Sequence, residues 1–338
     1  MKSQFVLMLS AIALAGAAAF ANAPPVAGVN DSVVRDIKFP RKLSDYGFFT
    51  DSAGQVPAAN VTPYRLNTPL YSDGAEKLRF LYLPDGASAA ANGGGLIDIP
   101  VGGALIKTFA FGEGADRRLI ETRVMLHRED GWLALPYKWN DDQSEAKLAI
   151  AGARVNITAP GGEDISYRVP NKNQCKECHG LDGAVVPIGP KARNLSHGWL
   201  ETLAGQGLLD IVPAKADTMP MWEDRSAKET PVDAAARAYL DVNCAHCHQP
   251  GATASNSGLD LRWEQDERRA IGINKRPVAA GRGSAGLMFD IVPGQPNRSI
   301  LLHRMRNEEP GVAMPELGKA TIDHEGVAIV ERWIRGMN

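Results

Sequence analysis

The chain has 338 residues, of which 44% are hydrophobic, 22% charged and 7% aromatic. That length suits about two domains, and the composition excludes a disordered or fibrous protein. A formal net charge of −2 leaves neither a basic field for nucleic acid nor an acidic tail, and the 34 Gly and 22 Pro point to turns and long loops rather than a helical bundle.

The chain begins with the pattern of an export signal over residues 1–21: Lys2 supplies a positive start, Phe5 to Ala15 is apolar, and small residues follow. Cleavage after Ala21 is favoured over cleavage after Ala23, which would leave Pro24 directly behind the cut. The apolar run falls short of the ~20 residues a membrane-spanning helix needs, and no later segment is long enough. Loss of the leader removes Lys2 alone and leaves a net charge of −3. The expectation is a periplasmic protein with no transmembrane segment once the leader is gone.

Residues 30–165 contain no Cys and few helical patterns. Leu78 to Leu83, Leu96 to Phe111, Leu119 to His127, Trp132 to Trp139 and Lys147 to Thr158 are rich in β-branched and aromatic residues, with turns at Asp85-Gly86 and Asp130-Gly131. From Leu119 to His127, Ile120, Thr122, Val124 and Leu126 alternate with Glu121, Arg123 and Met125, the period of a half-buried strand. These features predict a β-rich, sandwich-like domain. Asp141, Asp142 and Glu145 lack the spacing of an EF-hand and read as a solvated turn. Tyr137-Lys138-Trp139-Asn140 resembles a stacking platform for a sugar or quinone, although strand aromatics are more often core. No nucleophile–base pair, phosphate loop or flavin fingerprint occurs.

All four cysteines sit in two Cys-x-x-Cys pairs, each followed by His: Cys175-Lys176-Glu177-Cys178-His179 and Cys244-Ala245-His246-Cys247-His248. Cys-x-x-Cys-His is the attachment signature of c-type haem. Two intervening residues let both thiols reach the haem vinyl groups, and the next position carries an imidazole to the iron. A Cys₄ zinc site is a poorer reading, because zinc knuckles separate their pairs by roughly 12–20 residues while Cys178 and Cys244 are 66 positions apart. Zinc, a dithiol redox pair and structural disulfides all leave unexplained why two of only seven His follow the pairs directly. The sequence therefore predicts two covalently attached haem c groups on Cys175, Cys178, Cys244 and Cys247, with His179 and His248 as proximal iron ligands.

Residues 229–338 form the second haem segment. Val232 to Asn243 is helix-forming, with Thr230 as N-cap and Pro231 at the first helical position. Pro293-Gly294-Gln295-Pro296 opens a turn, Ser299 to Met305 reads as a short helix, and Ala313-Met314-Pro315-Glu316-Leu317-Gly318 precedes an amphipathic helix near Asp323 to Arg335. Helix, Cys-x-x-Cys-His, loop, Met-Pro and terminal helix is an order that resembles class I cytochromes c. The resemblance implies that Met314 is the distal ligand opposite His248, ahead of His303 and Met305, which fall on a predicted helix.

The first haem segment, 166–228, is a truncated version of that unit. Tyr167 to Gln174 reads as extended, so no helix precedes Cys175. Gly189-Pro190 resembles the cytochrome c loop that packs Pro against the ring, and Trp199 to Leu209 reads as a helix. Met219 or Met221 is the distal candidate for the first iron, with His197 behind them and an open position as the remaining option.

Taken whole, the chain resembles a family of exported bacterial dihaem c-type cytochromes with a β-rich N-terminal half. The matching residues include Tyr64 to Asp73, Ile106-Lys107-Thr108-Phe109, Glu121-Thr122-Arg123, Lys172 to Cys175 and Asn243 to His248. The resemblance implies the architecture and the haems but no substrate. The expected function is single-electron transfer between redox partner proteins, with no catalytic residues. Two alternatives remain: a haem oxidoreductase or peroxidase using an open first haem, and a glycan- or protein-binding module fused to a cytochrome.

Overall fold

The β-branched runs of the N-terminal half assemble into one antiparallel sheet. The computed structural model describes residues 28–158, 162–215 and 218–338, so the leader and both cleavage positions lie outside the described residues. After a short helix α1 (Asp31–Arg35) come a hairpin of β1 (Phe49–Asp51) and β2 (Val56–Pro57), then β3 (Val61–Tyr64) and β4 (Glu76–Tyr82). A small ribbon of β5 (Ala90–Ala91) and β6 (Ile97–Asp98) follows. The long strands are β7 (Ala104–Phe111), β8 (Arg118–Arg128) and β9 (Gly131–Trp139), with β10 (Ala146–Leu148) closing the set. Six strands pair in the order β10-β9-β8-β7-β4-β3. Gly131, at φ +103°, closes the β8–β9 hairpin where Asp130-Gly131 predicts a turn. The run from Leu96 to Phe111 is broken at Gly102, whose φ of +92° turns the chain between β6 and β7. Past β10, β11 (Ala153–Thr158) and β12 (Asp164–Val169) form a separate hairpin.

The sandwich expectation is corrected: every other sheet among the described residues has two strands. The physical reason is that irregular and helical chain covers both faces of the large sheet. One face carries Phe80, Ile106, Val124, Leu135 and Tyr137, packed under Val34, Leu43, Tyr46 and Phe48 of the N-terminal segment. The Tyr46 and Tyr137 hydroxyls meet at 3.0 Å across that contact. The other, inner face carries Leu81, Leu105, Met125 and Ala134 against Leu195, Leu200, Leu203 and Leu209. Strand β8 is therefore buried on both sides rather than half-buried, and Glu121 is 0% exposed.

The inner cover is helical. It comprises α2 (Lys172–His179), a ribbon of β13 (Gly180–Leu181) and β14 (Ala184–Val185), and α3 (His197–Gly205); α4 (Val232–Asn243), α5 (Arg268–Ile271), α6 (Ile300–Met305) and α7 (His324–Arg335) follow in the chain. The extended reading of Tyr167 to Gln174 holds only as far as Val169. Helix α2 then starts on a capping box in which the Asn171 side chain accepts from the Gln174 N–H at 2.8 Å and Gln174 Oε1 accepts from the Asn171 N–H at 3.0 Å. Residues 192–209 share a core with the sheet, and the expected boundary at 165 falls inside β12.

Helices α4, α6 and α7 share a second core containing Leu240, Leu302, Val330 and Ile334. Pro231 is the N-cap of α4 in place of the expected Thr230, and the helix starts at Val232. The Trp333 indole N–H donates to Asp233 Oδ1 at 2.7 Å, pinning α7 to α4. No described helix is long and apolar enough to cross a membrane.

Candidate functional site

Both cysteine pairs open on one cavity of about 530 Å³. It is lined by the inner sheet face through Lys107 and Arg123, by α2, by the segment 244–248 and by the Met314–Lys319 loop. All four thiols are free.

The capping box that starts α2 sets Cys175 and Cys178 three positions apart on one helix face, with His179 directly after. Cys175 packs into the core beneath the sheet. The His179 Nδ1 lies 2.8 Å from the Val186 carbonyl. A carbonyl only accepts, so Nδ1 carries the proton and Nε2 presents a bare lone pair. Burial first, then the Lys107 charge, pushes the His179 pKa down to about 4, so the ring is neutral.

The second pair follows α4, whose last turn carries the Cys244 N–H to the Leu240 carbonyl at 2.9 Å. The His248 Nδ1 lies 3.0 Å from Ser257 Oγ, and that hydroxyl donates to the Ala254 carbonyl at 2.7 Å. Ser257 is therefore an acceptor for Nδ1–H, and His248 too presents a bare Nε2. Burial, then the neighbouring His246, pushes its pKa down to about 4. Behind Ser257, the Lys275 ammonium donates to the Ser257 carbonyl at 2.7 Å and pairs with Asp290 at 2.9 Å. Each ring thus has an orienting partner of the kind that fixes metal-ligating histidines.

Cys178, Cys247 and His246 bring their ligand atoms within 4.8 Å of one another. The Cys178–Cys247 hydrogen bond lowers the Cys178 thiol pKa and raises that of Cys247. His246 Nδ1 is buried without a partner. This three-donor cluster, drawn from both pairs, was invisible in the sequence because its members meet only through the fold. It suits a soft metal ion, but it leaves Cys175, Cys244 and both bare Nε2 atoms without a role.

Met314 lines the cavity, and so does Met305. The Met314 N–H bonds the Arg304 carbonyl at 3.0 Å, and Arg304 Nε donates to the Val312 carbonyl at 2.9 Å, tying the loop to α6. None of the candidates opposite His179 lines the cavity. Met219 is 1% exposed and fills a small apolar cluster with Ala238 and Val242 of α4. Met221 is 41% exposed. His197 faces Glu201 at 3.4 Å on α3. Ile188 reaches the cavity, whereas Pro190 is buried beside the small ribbon, its carbonyl accepting from the Ile97 N–H at 3.1 Å.

A strap of the N-terminal half closes the site. The Tyr71 N–H donates to Asn243 Oδ1 at 2.8 Å, immediately before Cys244, and the Tyr71 hydroxyl meets Thr321 Oγ1 at 2.8 Å. Asp73 is 3% exposed, and its Oδ1 accepts from the Ala320 N–H at 2.6 Å and the Thr321 N–H at 2.9 Å. Tyr71 and Asp73 thus hold both the cysteine segment and the far end of the Met314 loop. The sequence offered Tyr64 to Asp73 only as part of a resemblance, without this role. Tyr137 and Trp139 are core residues, 0% and 2% exposed, and form no stacking platform. Asp141 pairs with Arg118 at the surface and Asp142 caps Ser144, as a solvated turn does.

No family model, curated protein or solved structure matches the chain.

Proposed function

We propose that the protein is an exported dihaem c-type cytochrome that passes single electrons between redox partners, with a C-terminal unit built like a class I cytochrome c. One observation carries the reading: two Cys-x-x-Cys-His motifs face one cavity, their cysteines unpaired into disulfides and their histidines held neutral with Nε2 bare. The donor set fits haem c, since each thiol pair is accompanied by an imidazole already oriented through its other nitrogen. Cys175 and Cys178 would hold one haem and Cys244 and Cys247 the other, with His179 and His248 toward the irons. Met314 would stand opposite His248, on a loop tied to α6 and to Asp73. Haem supplies one-electron exchange at iron. The chain supplies attachment, orientation and, through the two apolar cores, exclusion of water. The packing of α4 against α7 supports the class I likeness, and the leader pattern supports the periplasm.

A pyridine haemochrome assay and haem-stained gel are expected to give two covalent haems per chain. Fewer would overturn the proposal, and stoichiometric zinc without haem would transfer the site to the Cys178–His246–Cys247 cluster. A second reading, a haem oxidoreductase with an open first iron, is favoured by the absence of Met219, Met221 and His197 from the cavity lining. Electron paramagnetic resonance separates the two: only low-spin signals support the carrier, while a high-spin, cyanide-binding haem supports the enzyme.

A further inference from the structure

Three basic side chains stand side by side across the middle of the sheet. Strand register sets Arg79 opposite Lys107 and Lys107 opposite Arg123, on the inner face. Directly opposed residues have Cβ atoms about 5 Å apart, and like charges so placed repel. Lys77, one step along the same face of β4, adds a fourth. The Lys77 and Lys107 amino groups and the Arg123 guanidinium gather over the Phe109 ring, 5.8, 5.2 and 4.3 Å from its centroid. The neighbouring row, Leu81, Leu105, Met125 and Ala134, is apolar, as a covered sheet face ordinarily is.

The protein supplies too little negative charge for this row. Glu121 pairs with Arg123 at 2.6 Å and accepts the Tyr167 hydroxyl at 2.6 Å. Asp73, whose charge reaches Lys77, is held by Ala320 and Thr321. Among the described residues no carboxylate lies within ion-pair distance of Arg79 or Lys107. Arg79 is 9% exposed, and its Nη2 is buried with no hydrogen-bond partner. Buried charges persist only when paired, and Lys107 and Arg123 open on the cavity beside Cys175 and Cys178.

We infer that Lys107 and Arg123, with Arg79 behind them on the next strand, form an anion site that takes a carboxylate or oxyanion group presented in that cavity. The group has two sources: a propionate of a haem carried by Cys175 and Cys178, or a free anion entering from solvent. The inference rests on strand register and does not require the haem reading.

The test compares wild-type holoprotein with Lys107→Gln and with Lys107→Arg, which keeps the charge. If the anion is a propionate, wild type does not bind inorganic phosphate in calorimetry. Lys107→Gln then keeps its covalent haem but melts lower, one haem potential moves downward, and Lys107→Arg restores both. If the anion is free, wild type binds phosphate with unit stoichiometry and Lys107→Gln binds at least tenfold more weakly. Absence of phosphate binding, together with a Lys107→Gln protein that melts at or above wild type with unchanged potentials, overturns the inference, because removing unopposed repulsion should only stabilise the fold. Should Lys107→Gln fail to accumulate, Arg79→Gln is read the same way. A protein lacking covalent haem refutes the proposed function while leaving the phosphate arm intact.

Discussion

At the scale of single residues, the orientation of two imidazoles separates this site from a pair of structural cysteine knuckles. Val186 and Ser257 hold the Nδ1 positions of His179 and His248, and neither partner is signalled by the sequence, because one follows a two-strand ribbon and the other ends a single 3-10 turn. Met314 was singled out by the class I resemblance and its Met-Pro context, and it lines the cavity. In the proposed reading, Met314→His leaves two covalent haems and lowers one reduction potential, since His/Met ligation lies above bis-His; two unmoved potentials in a redox titration would remove Met314 from the iron. Away from the cavity, Asp260 gives a pH signature. Burial works against its charge, but hydrogen bonds from Arg262 and Gln265 outweigh it and hold the carboxyl below the usual Asp value. A depressed folded-state pKa stabilises the protein above the unfolded value of about 3.9 and is lost as pH falls through the folded one. Asp260→Asn should therefore be less stable than wild type at neutral pH in denaturant melts, and the gap should close as pH falls below the unfolded value and through the depressed folded one. A gap that stays constant would show that the carboxylate charge contributes nothing.

Among the elements, the strap from Leu70 to Asp73 makes the N-terminal half part of the second cysteine site. Asp73 sits at φ +53° and accepts two backbone N–H groups from the chain after Met314. Asp73→Ala would strand those donors in a buried setting at a cost of about 1–3 kcal/mol each. The expected result is a lower melting temperature and a weakened long-wavelength charge-transfer band of Met-to-ferric-haem ligation, with haem content unchanged. A variant that melts lower but keeps the full band would make Asp73 a purely structural residue. Helix α7 was legible end to end because its apolar stripe and Asp323 cap are local signals. Helix α2 was not: a capping box of Asn and Gln next to Pro170 is a weak mark, and the extended strand before it masks the start. The alternation in β8 was read correctly as strand but not as doubly covered, since Glu121 and Arg123 look like solvent-facing residues until their cover is known.

For the whole molecule, the sheet is incomplete without the chain that follows it. Leu81, Leu105, Met125 and Ala134 share their core with Leu195 to Leu209 as well as with Leu83, Ala89, Ile97 and Ile99, beside the basic row. A fragment of residues 30–165 would expose that face to water at a loss of roughly 25 cal/mol per Å² of apolar area. Expressed alone, it is expected to aggregate or bind a hydrophobic dye without a cooperative melt, whereas the full chain should unfold the sheet and α3 in one transition. A cooperative, monomeric fragment would show that the sheet stands by itself.

The four cysteines, the two histidines after them, the β-rich first half and the helices around Val232 and Asp323 were determined by the sequence alone, because motif spacing and hydrophobic period act over a few residues. Only the tertiary structure decided that both motifs open on one cavity, that one sheet stands where two were expected, and that Met219 and Met221 lie outside the cavity lining. It alone set Arg79, Lys107 and Arg123 in a row. Those outcomes depend on strand register and on which distant segment covers which face, and both are fixed by packing between residues far apart in the chain.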